Sequence, residues 1–280
     1  MKKLNWRSST LLVTALAGSL LAWKAQASSD EEKQSASSFL QGGYLAREDL
    51  PDSLAINPLP PSEGSAAMAR DEERAMEAIV QQGTPRFELA AADAAFFLPG
   101  GDSVFSCSAG FVIGPKTTPK LFALLRKSVA DLALAVYPTK NHYQRQRPFM
   151  VNGHPTCTPD HEPMLRQDGS YPSGHTAIGY GWGLILAEVV PERATQLVAR
   201  GRVFGDSRRI CNVHWQSDVD EGQQVGAAVV ARLHADAQFR ADVEAAREEY
   251  AQLAGSLPQP DCTLEDAAFE RNAADDAAAE

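Results

Sequence analysis

The chain has 280 residues, 44% of them hydrophobic, which is enough for one sizeable domain or two small ones. Its formal net charge is −10, and such an acidic balance argues against general binding to a nucleic-acid polymer, which draws on basic surface. Any anion that this chain binds must therefore be held by a local cluster of cations.

The N-terminus carries the pattern of a secretory signal peptide. Lys2, Lys3 and Arg7 precede an apolar run from Thr10 to Trp23, and Ala-Gln-Ala at 25–27 fits a cleavage site. A membrane anchor is the alternative, but the run is shorter than the ~20 apolar residues that a spanning helix needs, and no later stretch is long and apolar enough. We expect cleavage after residue 27, which removes four cations and takes the net charge from −10 to −14, and a periplasmic or secreted protein without a membrane span.

The rest of the chain is mostly helical in pattern. Residues 28–64, rich in Ser, Pro, Gly and charge, predict an extended or loosely packed lead-in. Helical composition then recurs in seven segments: 65–83, 86–100, 117–138, 175–191, 192–209, 217–239 and 240–255. Alternating strand patterns are almost absent, so the fold class is predicted to be all-α. Residues 257–280 predict an acidic, disordered tail.

Three short clusters hold the residues that could do chemistry. The first contains Lys140, Arg145, Arg147 and Pro148, and is expected just after a helix that ends near 137–139. Cations often lie near a helix C-terminus because they complement its dipole. Alone, this cluster favours a solvated turn.

The second cluster is the stretch GSYPSGHT at 169–176. Pro172 fixes φ, Ser173 can cap the helix that follows, and Gly174 lets another group approach the backbone closely. The free N–H groups of a helix start favour an anion, with His175 beside it. Alone, a capped turn with an incidental histidine is at least as good an interpretation.

The third cluster contains Ser207, Arg208, His214 and Asp218. If one helix runs through them, His214 and Asp218 share a face. The carboxylate can then hold one ring N–H, so that the other nitrogen points outward as a nucleophile or base. Arg208 offers a planar fork of donors for phosphate oxygens. A surface Arg/Asp network with a buried histidine explains this segment equally well.

Together the clusters supply what phosphoryl transfer needs, namely cations for the equatorial oxygens, a nucleophile, and an acid for the leaving group. Their spacing is Lys140, six residues, Arg147-Pro148; then Pro172-Ser173-Gly174-His175; then Ser207-Arg208, five residues, His214, three residues, Asp218. This pattern resembles the three-part motif of the type 2 phosphatidic acid phosphatase (PAP2) superfamily, which also includes the vanadium-dependent haloperoxidases.

The stretch GSYPSGHT, together with CNVHWQSDV and a signal peptide, resembles the bacterial class A non-specific acid phosphatases. The resemblance extends from about Leu98 to Ala235. It implies one helical domain, which we place at residues 65–256, built as a bundle with the active site between helices.

The resemblance also implies a role for each motif residue. His214 attacks phosphorus and becomes a phosphohistidine, Asp218 orients it, and His175 protonates the leaving group and later activates water. The phosphoryl oxygens are held by Lys140, Arg147, Ser173, Gly174 and Arg208. Such a site needs no metal and no cofactor, because the cations take the place of a metal. Its substrates are small phosphate monoesters, and activity is expected to be highest on the acid side of neutral.

Two other functions use the same residues. A vanadate-dependent haloperoxidase would bind vanadate in the same anion pocket, and a non-enzymatic protein would only capture phosphate. The short chain and the surroundings of the motifs favour the phosphatase. Phosphate transfer to alcohols and assembly into a homo-oligomer stay open at this point.

Four cysteines, Cys107, Cys157, Cys211 and Cys262, can form two disulfides in an exported chain. Their spacing lacks the paired pattern of a zinc site, and by spacing alone three pairings are open. A Cys157–Cys211 bridge would pin the segments that carry the nucleophile and the clamp, which leaves Cys107 with Cys262. We expect these two pairs.

Overall fold

The structure is a computed structural model that describes residues 42–96 and 101–270; the predicted signal peptide lies outside these ranges. Within them every regular element is helical, which confirms the all-α prediction. The α-helices are α1 (Ser53–Ile56), α2 (Ala66–Ile79), α3 (Pro85–Ala92), α4 (Ser106–Ala109), α5 (Pro119–Leu134), α6 (Tyr137–Tyr143), α7 (Pro148–Asn152), α8 (Glu162–Leu165), α9 (Gly174–Val189), α10 (Ala194–Ile210), α11 (Gln216–Leu233), α12 (Ala237–Leu253) and α13 (Thr263–Phe269). No helix in the described ranges combines the length and apolarity needed to cross a membrane.

Helix α9 forms the centre of the bundle and packs against α5, α10, α11 and α12. Its side chains are buried on most sides, among them Ile178, Trp182 and Leu186, as expected for a helix that is apolar all round. Glycines bring its backbone close to that of α10. A Cβ atom on Gly183 would lie 2.8 Å from the Leu197 carbonyl oxygen, so larger residues there would separate the two helices.

The start of α9 lies equally close to α11. A Cβ atom on Gly222 would lie 2.6 Å from the carbonyl oxygen of Ser173 and 2.9 Å from the Cβ atom of Thr176. The Ser173 N–H donates to the Asp218 carbonyl oxygen at 2.9 Å. This contact places the second sequence cluster directly against the third.

The described part of the lead-in, residues 42–64, is mostly exposed or half-buried but is hydrogen-bonded to distant helices. The backbone N–H groups of Tyr44 and Leu45 donate to the Asp131 carboxylate at 2.9 and 3.0 Å. Ser53 accepts a hydrogen bond from the Thr139 hydroxyl at 2.8 Å. The partners lie more than 80 residues away, and composition alone does not reveal such partners.

The prediction of a disordered tail is wrong for residues 257–270; residues 271–280 lie outside the described ranges. Glu265 of α13 forms an ion pair with Arg200 of α10 at 3.2 Å. A disulfide joins Cys262 to Cys107, with the two Cα atoms 5.6 Å apart. The second bridge joins Cys157 to Cys211, so both predicted pairs are confirmed. Residues 257–270 are held in place because these long-range bonds outweigh their weak local preference for a fixed structure.

Candidate active site

The three sequence clusters converge where several helices begin or end. Arg147 and Ser173 directly precede α7 and α9, while Arg208 lies in the last turn of α10. Lys140 lies inside α6, which begins at Tyr137, whereas the sequence predicted a helix end there. The interpretation as a solvated turn is also wrong, since Lys140 is 3% exposed and Arg147 is 1% exposed.

The imidazole of His214 is held by Asp218. Asp218 Oδ2 lies 3.3 Å from His214 Nδ1 and accepts the Trp215 backbone N–H at 2.8 Å. The two residues do not share one helical face as predicted, because His214 precedes α11 and Asp218 reaches back to it from the first turn. An ionised carboxylate only accepts hydrogen bonds, so the ring proton lies on Nδ1 and the lone pair on Nε2.

The Nε2 lone pair of His214 faces a buried cation. Arg147 Nη1 lies 3.0 Å from His214 Nε2, and because a guanidinium only donates, Nε2 accepts this bond. Burial, and then the charges of Arg147 and Lys140, holds the pKa of His214 well below its ordinary value. The imidazole is therefore neutral, as a nucleophile must be.

Lys140 and Arg147 share one carboxylate, that of Asp168. Its Oδ2 atom lies 3.4 Å from Lys140 Nζ and 3.1 Å from Arg147 Nη2. Lys140 also donates to the Gly169 carbonyl oxygen, and Arg147 Nε donates to the Leu165 carbonyl oxygen at 2.9 Å. Burial, and then the charge of Arg147, lowers the pKa of Lys140 to about 8, so the ammonium group keeps its proton in acid.

Arg208 is buried without partners for two of its nitrogens. It is 1% exposed, and neither Nε nor Nη1 has a hydrogen-bond partner among the described residues. Burial, and then the charge of Arg147, lowers the pKa of Arg208 to about 9. Leaving a buried charged donor unpaired is costly, typically ~1–3 kcal/mol or more. The surroundings of Arg208 therefore suit an anion.

The start of α9 places His175 beside these cations. Ser173 caps the helix as predicted, since its Oγ atom accepts the Thr176 N–H at 3.3 Å. His175 Nε2 lies 3.2 Å from the Ala94 carbonyl oxygen, and the ring stacks on Phe96 with centroids 4.8 Å apart. A carbonyl only accepts, so Nε2 carries a proton and Nδ1 faces elsewhere.

The resemblance implies a protonated His175, but the surroundings of His175 disfavour its protonation. Burial, and then the charge of Arg208, holds the pKa of His175 well below its ordinary value. The Ala94 carbonyl oxygen works in the other direction. With only the protein's own charges around it, His175 is neutral near neutral pH, and a nearby anion would favour its protonation.

Comparisons with known proteins point to one family. The PAP2 superfamily profile matches residues 121–242. The chain is 38% identical over 211 residues to the non-specific acid phosphatase of Providencia stuartii, covering 75% of this chain and 85% of that protein. It is 42% identical over 207 residues to that of Salmonella typhimurium strain LT2, covering 74% and 83%. It is 36% identical over 212 residues to the acid phosphatase of Zymomonas mobilis, covering 75% and 80%.

The chain belongs to the class A acid phosphatases of the PAP2 superfamily. The eight residues to which the resemblance assigns a role all lie in the described ranges, and the contacts above bring the three clusters together in one buried region. Its cysteines are all paired within those ranges. Disulfides are typical of oxidising compartments outside the cytosol.

Sequence reasoning missed three groups around the site of this acid phosphatase. Asp168 binds two of the cations, the Ala94 carbonyl orients His175, and Asp71 of α2 contacts Arg145. Asp168 directly precedes the GSYPSGHT stretch, and an acidic residue at that place in a cationic site is a signal that could have found it. Nothing local marks Ala94 or Asp71.

Proposed function

We propose that this chain is an exported, metal-independent phosphatase that hydrolyses phosphate monoesters through a phosphohistidine at His214. One observation carries the proposal. A buried, neutral imidazole has Nδ1 held by Asp218, while its Nε2 lone pair lies beside buried cations. Such a lone pair is a nucleophile aimed at a place where an anion is attracted.

The cations provide the binding site for the phosphoryl group. The unpaired Nε and Nη1 of Arg208 can each donate to a phosphate oxygen. Arg147 and Lys140 add two positive charges, and the backbone start of α9 at Ser173 and Gly174 adds N–H donors. These groups stabilise the charge spread over the equatorial oxygens in the transition state, which is the role that metal ions have in other phosphoryl-transfer enzymes.

In the first step, the bond from His214 Nε2 to phosphorus forms while the phosphorus–oxygen ester bond breaks. His175 gives its Nδ1 proton to the departing oxygen, because Nε2 is bonded to the Ala94 carbonyl. In the second step, water attacks phosphorus, its proton passes to His175, and the nitrogen–phosphorus bond breaks. The bound phosphate anion and an acid medium both favour the protonated His175 that the first step needs.

Export and phosphate transfer complete the proposal. The pattern of residues 1–27 and the two disulfides support a periplasmic or secreted protein. An alcohol that replaces water in the second step would receive the phosphoryl group, so the same intermediate supports phosphotransferase activity. The similarity to acid phosphatases supports hydrolysis over the alternative, vanadate-dependent halide oxidation.

The test is hydrolysis of p-nitrophenyl phosphate at acid pH with EDTA present, combined with labelling from a radioactive phosphate ester that is quenched in alkali, where a phosphohistidine is stable. We expect wild-type turnover in EDTA, and labelled protein that disappears in His214→Ala. The exposed His142 serves as the matched control, and His142→Ala is expected to behave as wild type. Turnover by His214→Ala, or wild-type protein that oxidises halide with vanadate and peroxide but releases no phosphate, would overturn the proposal.

A further inference from the structure

Arg145 lies between two buried carboxylates and was given no role by the sequence motif. Its Nη1 atom lies 2.7 Å from Asp218 Oδ1, and its Nη2 atom lies 2.7 Å from Asp71 Oδ2. The Arg145 side chain is 10% exposed, while those of Asp71 and Asp218 are 2% and 0% exposed. The guanidinium also lies over the Trp215 ring, 5.4 Å from its centroid. A cation this enclosed and doubly paired has one fixed position.

The neighbouring groups complete the network. Ser217 donates its backbone N–H to Asp71 Oδ1 at 2.8 Å and its hydroxyl to Asp71 Oδ2 at 2.5 Å. The same hydroxyl accepts from Arg145 Nη1 at 2.8 Å. Asp218 therefore has one oxygen bound by Arg145, which leaves the other for the Trp215 N–H and for His214 Nδ1. The network fixes which carboxylate oxygen faces the imidazole.

We propose that Arg145 is a positioning residue of this enzyme, which fixes Asp218 toward His214 and favours the carboxylate form of Asp218. The inference rests on the proposed function, because it assigns Arg145 an effect through the Asp218–His214 pair. Asp71 of α2 is the anchor that holds the second half of the guanidinium. Arg145 thereby differs from Arg147 two residues later, whose Nη1 atom contacts His214 itself.

The charges around Asp218 explain why it needs this partner. Burial raises the pKa of Asp218 above its ordinary value, and the charge of Arg145 together with its hydrogen bond is the main influence that partly offsets this rise. The Trp215 N–H and the charge of Lys140 act in the same direction as Arg145. The titratable and charged groups that surround the Asp218–Arg145 pair are Asp71, Lys140, Arg147, Tyr171 and His214.

Removal of Arg145 has a predictable sign. Asp218 and Asp71 would be left as buried carboxylates without a cation between them, so the pKa of Asp218 would rise. A protonated Asp218 holds the His214 N–H weakly and does not stabilise positive charge on the ring. Activity is then lost first at low pH, and the acid limb of the pH profile moves to higher pH.

The experiment measures kcat and KM for p-nitrophenyl phosphate from about pH 4 to pH 8. For Arg145→Gln we expect the acid limb of kcat/KM to move to higher pH by about one pH unit. This lowers kcat/KM about fivefold at the pH of the wild-type half-maximum and about tenfold well below that pH. The loss should lie mainly in kcat, because Asp218 does not contact the phosphate. Arg145→Lys keeps the charge and is expected to restore most of the acid limb.

Two further variants separate charge from packing. Asp71→Asn breaks the network but keeps Arg145, so its acid limb should not move upward. Arg145→Gln combined with Asp71→Asn leaves no unpaired carboxylate beside Asp218. This double variant is expected to shift the acid limb to higher pH as well, so it serves as the test if Arg145→Gln alone fails to fold. Arg240, exposed on α12, is the matched arginine, and Arg240→Gln is expected to have a wild-type profile.

An equal loss of activity at every pH in the Arg145 variants, or an upward shift in Asp71→Asn alone, would overturn the inference. A wild-type acid limb in the double variant would do the same. His214→Ala and Asp218→Asn are measured in parallel. If both keep wild-type turnover, the proposed function fails; if both lose it and the Arg145 variants keep the wild-type acid limb, only the role of Arg145 fails.

Discussion

Replacing Gly222 by alanine tests whether the close contact of α11 with the start of α9 positions the site. Alanine stabilises a helix interior by about 1 kcal/mol relative to glycine, so an unconstrained site would gain stability. The added Cβ atom would lie 2.6 Å from the carbonyl oxygen of Ser173, a backbone atom that cannot rotate away. Overpacking of this kind costs about 1–3 kcal/mol. We expect a net loss of about 1 kcal/mol in the free energy of unfolding, which lowers Tm by about 2–4 °C in a domain of this size.

Activity should fall as well, because Ser173 and His175 move together with the displaced backbone. A displacement of about 1 Å in an active site can cost about 100-fold in rate, so a loss of about tenfold in kcat/KM is expected for a smaller shift. The assays are thermal unfolding and steady-state hydrolysis of p-nitrophenyl phosphate. Gly255→Ala is the control, since no heavy atom lies within 4 Å of its added Cβ atom, and its stability should change by less than about 0.5 kcal/mol. If Gly222→Ala raised Tm and left kcat/KM unchanged, the positioning argument would be refuted.

Three further predictions concern charge and cross-links. Arg208→Met should raise Tm in phosphate-free buffer, because it removes an unpaired buried cation. It should also abolish the rise in Tm that inorganic phosphate gives wild type. An unchanged effect of phosphate on Tm would exclude Arg208 from the phosphate-binding groups. Because the folded-state pKa of His175 is depressed, its contribution to stability is complete above about pH 6.5 and is lost as pH falls. His175→Ala should therefore flatten the decline in unfolding free energy by up to about 1.4 kcal/mol per pH unit between about pH 6.5 and pH 5, and equal slopes would contradict this assignment. Replacing Cys157 and Cys211 together by serine should lower the free energy of unfolding by about 2–4 kcal/mol, measured by denaturant unfolding against wild type. An unchanged unfolding midpoint would show that the disulfide does not stabilise the fold.

The sequence allowed a candidate site to be predicted, because phosphoryl-transfer chemistry requires particular residue types and the motif keeps them at fixed spacings along the chain. His214, Asp218, Arg208 and Lys140 all lie in the buried cluster that the motif implied. The geometry between them was predicted less well. The four-residue spacing of His214 and Asp218 suggested a shared helical face, whereas the contact is made from the first turn of α11 back to the preceding loop.

The residues that contact the motif residues from distant parts of the chain could not be predicted from the sequence, for a physical reason. Asp71 lies 74 positions from Arg145, and no local pattern in α2 distinguishes a carboxylate that binds a buried guanidinium from one that faces water. The hydrogen bonds of residues 42–64 and the contacts of residues 257–270 likewise depend on distant partners. The composition of both segments is that of a loop, and distant partners such as Asp131 decide their structure.

The ion pair of α13 links the C-terminal segment to the candidate active site through a chain of contacts. Glu265 holds Arg200, which in turn binds both oxygens of the Asp93 carboxylate. Asp93 is bonded through the chain to Ala94, whose carbonyl fixes the ring of His175. A protein shortened at residue 256, where the helical pattern of the sequence ends, would lose this brace and leave Arg200 with one partner fewer. We therefore expect removal of α13 to loosen the contact between the Ala94 carbonyl and His175.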